Sequence, residues 1–132
     1  MTPAPAAVDT LYTHFKDTGR APSYYDLIVT GDLGWIGKKI CTELMQSRGY
    51  DIKNNYDDCG CLIFDRDAQD VHAGGSGCAC CATTFCGYIF NQLQAKKLKK
   101  VLVCATGALM SPTTAQQNES ILGIAHAVSI EV

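Results

Sequence analysis

Two short apolar runs, YDLIVT at 25–30 and KVLVCATG at 100–107, constrain the fold most. Each is too short for a typical globular helix and too evenly apolar for a half-exposed strand, so each reads as a strand buried on both faces. The segments around them have helical periodicity. Residues 4–18 place Val8, Leu11, Tyr12 and Phe15 on one face, with prolines before them and Gly19 as the stop. After YDLIVT, the turn GDLG leads into a second helix with Leu33, Ile36, Ile40, Leu44 and Met45 at helical spacing. Residues 49–71 are polar turn material, and only CLIF at 61–64 reads as a strand. From Gly77 a third helix repeats Cys78, Cys81, Ala82, Phe85, Ile89 and Leu93, and GIAHAVSIEV alternates as a last strand. Helices alternating with buried strands predict one layered α/β domain over 1–132, with a largely parallel central sheet and an antiparallel final pair.

Composition supports a single core and excludes some partners. A chain of 132 residues with 47% hydrophobic content suffices for one domain and hardly for two. Eleven basic against thirteen acidic residues give a net charge of −2, which leaves no basic face for nucleic-acid phosphates or anionic lipid. No apolar run reaches the ~20 residues of a membrane span, and MTPAPAAVDT lacks the charged and apolar regions of a signal peptide. A soluble, unexported chain is the expectation.

The stretch VHAGGSGCACCATTFCG, 71–87, holds four of the eight cysteines behind a run of glycines. Their crowding and the missing export signal favour reduced thiols over a disulfide scaffold. Four readings of the stretch are open. Zinc is disfavoured, because Cys-x-Cys-Cys within a helix points its thiols to different faces. A redox pair has only the formal Cys-x-x-Cys of Cys78 and Cys81. Cysteine can simply act as a small hydrophobe beside Gly77, Ala79 and Ala82, so that neighbours approach a thin helix closely, with Cys78, Cys80 and Cys81 buried and free of metal. The GGSG segment can separately present backbone N–H groups to an anion, or serve tight packing with no ligand.

Other polar residues fall beyond the carboxyl ends of the predicted strands, where open α/β sheets place their ligands. They are Asp32 in TGDLG and the loop SPTTAQQNES, 111–120, whose alternative role is a solvated turn. His14 reads as a surface helix residue and His126 as a packed strand residue. His72 alone flanks the glycine loop, with a structural role the ordinary one for a single histidine. The candidate mouth comprises 31–34, 72–77 and 107–113, and its candidate ligand-binding residues are Asp32, Gly34, His72, Gly74, Gly75, Ser76 and Ser111.

The segments YYDLIVTGDLGWIG, YDDCG, QDVHAGGSGCACC, KKVLVCATGALMSPT, QQNESI and GIAHAVSIE together resemble the C-terminal half of the stage V sporulation protein AD family of endospore-forming bacteria. The resemblance runs over nearly the whole chain. It implies a thiolase-like half, with a mixed sheet and a buried small-residue helix, from a protein about twice as long whose N-terminal half is missing here. It further implies binding of dipicolinic acid, with calcium, alongside other stage V sporulation membrane proteins that load it into the forespore. Peripheral association with the spore inner membrane is implied as well, and a homodimer is compatible. No resident cofactor is expected.

Relatives of this fold that condense acyl thioesters use a cysteine from the first half and a histidine and an asparagine from the second. The resemblance places Asp32 near the histidine position and Gly74 at the asparagine. An acyltransferase is therefore the alternative function, with its catalytic pattern unmatched, and no catalytic residue is assigned.

Overall fold

The N-terminal helix α1, Pro3–Thr18, buries Ala4, Ala7, Val8, Leu11 and Phe15 and ends before Gly19, whose φ of 68° no longer follows the helix. A computed structural model describes residues 3–75, 77–109 and 111–132, with the backbone alone for Leu109. A 3-10 turn at Pro22–Tyr24 leads into β1, Leu27–Thr30, and α2 follows at Gly34–Ser47. Then come β2 at Tyr56–Asp58 and a single helical turn, α3, at Cys59–Leu62. The third long helix is continuous through α4 at Cys80–Thr84, a π-helical turn at Phe85–Ile89 and α5 at Phe90–Gln94. Strand β3, Lys100–Leu109, the short α6, Pro112–Gln116, and β4, Leu122–Glu131, complete the chain.

The sheet has the order β2-β1-β3-β4. β1 is parallel to both β2 and β3, and β4 runs antiparallel to β3 over ten residue pairs. This is the mixed sheet expected from the two buried runs. On one face α1 and α2 cover Ile28, Tyr56, Leu102, Cys104 and Ala125. On the other, α3 and the α4–α5 helix cover Val29 and Val101 with Cys59, Cys80, Ile89 and Leu93. The result is a three-layer α/β domain.

Several local readings need correction. CLIF is not a strand: Cys61 and Leu62 lie in α3, and the strand is the preceding Tyr56–Asp58. Asp58 ends the extended segment by capping α3, its carboxylate accepting from the Gly60 N–H. In α2 the buried positions are Gly34, Cys41 and Met45, while Ile36 is 62% exposed and Leu44 is partly exposed. The long helix begins at Cys80 rather than Gly77, and its buried stripe is Cys80, Thr84, Ile89 and Leu93. The step of five from Thr84 to Ile89 is the signature of the π turn, which a strict 3.6 period misses. Only one side of this helix is covered: Ala82, Thr83, Cys86, Gly87, Tyr88 and Phe90 face outward, and Cys78 ahead of it is exposed. His126 is exposed on β4, where alternation puts it with Ile124 and Val128, opposite the α1-facing Ala125 and Ala127. His14 is half-buried and bonded through Nε2 to the Tyr25 hydroxyl at 2.7 Å.

Leu11 is fully enclosed between α1 and the sheet. Leu11→Ala should lower the unfolding free energy in urea by about 2–5 kcal/mol. Ala82→Leu, on the outward side of α4, should stay within about 0.5 kcal/mol of the parent.

Candidate functional site

β1 and β2 end side by side, with Thr30 opposite Asp58 in the register, so the loops leaving them start from one place. Asp58 is fully buried and its carboxylate organises that place. Oδ1 accepts from the Thr30 hydroxyl at 2.5 Å and the Leu33 N–H at 3.0 Å. Oδ2 accepts from the Gly34 and Gly60 N–H groups, each at 2.9 Å. Since Thr30 has one hydroxyl proton and gives it to Asp58, the Tyr56 hydroxyl, 2.8 Å away, donates to Thr30. One carboxylate thus fixes the TGDLG turn, the start of α2 and the start of α3.

The glycine loop is stitched onto this frame through its backbone. The Gly75 N–H donates to the Gly60 carbonyl at 2.7 Å, and the Trp35 N–H donates to the Ala73 carbonyl at 2.6 Å. Gly34 sits at φ 69°, and a Cβ there would lie 2.5 Å from the Ala73 oxygen, so this crossing requires glycine. A Cβ on Gly75 would lie 2.8 Å from Phe64 and 3.0 Å from Ile63. Gly75 is accordingly a packing glycine, and a valine there would act by displacing Phe64 and Ile63.

Asp32, the next acid along, is half-buried at the rim. Its Oδ1 accepts from the Thr106 hydroxyl of β3 at 2.5 Å, and its own N–H donates back to Thr106 Oγ1 at 3.2 Å. Beside it opens a mainly apolar cleft of about 340 Å³, lined by residues that include Asp32, Leu33, Ile36, Ile40 and Ala73. Asp32, Gly34 and Gly74 therefore gather where β1 and β2 end. His72 does not join them: its ring is exposed and faces Asp70 at 3.7 Å, an exposed pairing that contributes little. Ser111 also stands apart, because Leu109, where β3 ends, is already roughly 10 Å beyond Thr106. Ser76 lies outside the described residues.

Sequence reasoning missed Thr30, Tyr56, Asp58 and Thr106. Asp58 had a usable signal, an acid directly before the small-residue run CGC, since Asp is a preferred helix N-cap. Thr106, a hydroxyl within an apolar strand run, was the other.

Burial pushes the Asp58 carboxyl above the ordinary carboxylate range, although its hydrogen bonds from Thr30, Leu33, Gly34 and Gly60 favour the ionised form. A native carboxyl that holds its proton more tightly than the unfolded one stabilises the fold below the ordinary value of 3.8. That stability is lost as pH rises through the native value. The deeply buried thiols are chemically quiet: desolvation takes Cys41 up to about 11 and Cys104 up to about 12. Asp58→Asn keeps the shape but turns an NH₂ group toward backbone donors, and should cost about 1–3 kcal/mol at neutral pH in urea unfolding. It should also flatten the fall in stability as pH rises from the acid range.

The family described as stage V sporulation protein AD matches residues 1–131. The chain is 52% identical over 128 residues to stage V sporulation protein AD of Bacillus subtilis (strain 168), an alignment covering 97% of the chain. It spans 38% of that relative's length, less than the half anticipated from the resemblance. The chain belongs to the stage V sporulation protein AD family.

Proposed function

We propose that the chain contributes to dipicolinic acid binding within the sporulation role of its family, as part of the machinery that loads dipicolinate, with calcium, into the forespore. The observation that carries this reading is the apolar cleft beside Asp32, at the carboxyl end of β1, framed by the backbone of the TGDLG turn and the glycine loop. A flat ring with two carboxyl groups suits an apolar wall with polar backbone at its rim. Asp32 would repel a bare carboxylate, so its role is to shape the rim through Thr106 or to meet the ligand through a bound calcium ion.

The alternative, thiolase-type acyl transfer, finds less support at the same place. The position the family resemblance assigns near a histidine carries Asp32, whose carboxylate is engaged by Thr106, and the position of the asparagine carries Gly74, which has no side chain. His72, next to the glycine loop, turns outward. A thiolase-like arrangement of halves would account for the outward apolar residues Tyr88 and Phe90 on the long helix and Leu122, Ile124 and Val128 on β4. In that arrangement the remaining part of the longer protein covers them, and homodimer contacts or contacts with stage V sporulation membrane proteins lie beyond this chain. Peripheral association with the spore inner membrane belongs to the same proposed reading; among the described residues no helix is long and apolar enough to cross a membrane.

Calorimetric titration of the folded chain with dipicolinic acid, with and without calcium, and with acetyl-CoA tests the proposal. Dipicolinate should bind and acetyl-CoA should be neither bound nor turned over. Ile36→Glu places a charge at the cleft and should weaken dipicolinate by roughly tenfold or more, because like charges a few ångströms apart cost over 1 kcal/mol. Lys96→Gln, on the exposed turn after α5, should change nothing. Turnover of the thioester, or equal dipicolinate affinity for both variants, would move the function elsewhere.

A further inference from the structure

Away from the candidate mouth, the end of α1 is fastened to the end of β4 through one hydroxyl group. Tyr25, on the segment leading into β1, is buried, and its ring packs against His14 and Phe15 of α1. Its hydroxyl oxygen lies 2.7 Å from His14 Nε2, 2.9 Å from Arg20 Nη1 and 3.2 Å from Ser129 Oγ of β4. Arg20 Nη1 also donates to Ser129 Oγ at 3.3 Å, and the guanidinium lies over the Tyr24 ring, 4.4 Å from its centroid. Helix α1, the turn at 20–25 and the last strand therefore meet at a single oxygen.

That oxygen carries one proton, so the state of His14 decides how its bonds are shared out. Arg20 can only donate, which occupies one lone pair of Tyr25. Neutral His14 with its proton on Nδ1 accepts the Tyr25 proton at Nε2, and the Ser129 hydroxyl fills the remaining lone pair. Protonated His14 can only donate. It takes the second lone pair, the Tyr25 proton turns to Ser129, and an imidazolium and a guanidinium then face each other across one oxygen.

We propose that this junction is a pH-sensitive latch: neutral His14 lets Arg20 hold Tyr25 and Ser129 together, and protonation of His14 drives Arg20 off the shared hydroxyl and loosens the end of β4 from α1. The groups around His14 make the competition one-sided. The turn presents Arg20 and Tyr25, β4 presents Ser129, and α1 itself presents the Phe15 ring edge-on at 5.6 Å. Lys100 of β3 adds a further cation over the Tyr24 ring, 4.0 Å from its centroid. The charged α2 residue on this side of the fold, Arg48, pairs with Asp9, more than a turn away along α1. Asp17, one turn beyond His14, is exposed, and among the described residues His14 has no carboxylate partner. Glu131 is held by the Tyr24 hydroxyl at 2.7 Å and faces Arg20 at 3.7 Å, so it gives the displaced guanidinium a place to go and leaves the imidazolium uncompensated.

Burial, with the Arg20 charge, accordingly holds the His14 imidazole below its ordinary value of 6.5. The native state binds fewer protons there than the unfolded one. The stability His14 contributes is thus complete above 6.5 and is lost as pH falls from there through the native value.

A histidine NMR titration of the folded 132-residue chain tests the latch, with the exposed His72 and His126 as references in the same sample. His14 should titrate at lower pH than both, and Arg20→Gln should move its midpoint up toward theirs. The Val132 amide, bonded to the Lys99 carbonyl at the end of β4, should lose exchange protection with the His14 midpoint once the intrinsic pH dependence of exchange is removed. His14→Gln should keep that protection constant over the same range. A His14 midpoint at or above those of His72 and His126, no upward shift in Arg20→Gln, or a loss of protection that His14→Gln does not remove would overturn the latch.

Discussion

The Asp58 carboxylate is the interaction on which the rest of the site depends. It stands at the end of β2, opposite Thr30, and receives one hydroxyl and three backbone N–H groups from three different segments. A buried acid is a costly way to hold loops, since desolvation raises its proton affinity despite these bonds. What it gives in return is a unique arrangement. A TGDLG turn without it would leave the Leu33 and Gly34 donors unpaired inside the protein, so other loop conformations are strongly disfavoured. The glycine loop inherits this order at second hand, because it hangs from Gly60 and Trp35, each adjacent to a residue that Asp58 holds or holding to it directly.

The architecture was legible where burial alone decides. YDLIVT and KVLVC could only be inner strands, and the alternation of Ala125 and Ala127 with Ile124 and Val128 fixed the faces of the last strand. Helix faces were less legible. In α2 the small Cys41 occupies the core beside α1 residues while the larger Ile36 is turned out, so side-chain size and apolarity alone did not mark the buried face. In the third helix the π turn at Phe85–Ile89 breaks the single 3.6-residue period, so Cys80, Ile89 and Leu93 are buried as expected, while Cys78 and Ala82 are exposed, Cys81 is half-exposed and the buried Thr84 was missed. A period read from composition carries no sign of such a turn.

The candidate site was half legible for a related reason. TGDLG and the glycines could be placed near strand ends from their turn chemistry. Their partners could not, because Thr30–Asp58 and Asp32–Thr106 join residues distant in sequence, and no local pattern encodes that pairing. His72 and Ser111 show the converse error, in which residues near the mouth in sequence are carried away from it by the local backbone, His72 at a positive φ of 50° and Ser111 beyond a strand that overruns its neighbour. Family membership gives the sporulation context, and the ligand reading proposed for the mouth draws on the cleft, the backbone rim and the engaged Asp32.

Amide hydrogen exchange at Leu33, Gly34 and Gly60, followed residue by residue in the folded chain, tests the central role of Asp58 most directly. The account predicts that these three loop amides are protected as strongly as those of the buried strand β1 and are released together when the chain opens. Rapid and independent exchange at Leu33 and Gly34, with β1 still protected, would show that the turn is held by something other than the buried carboxylate.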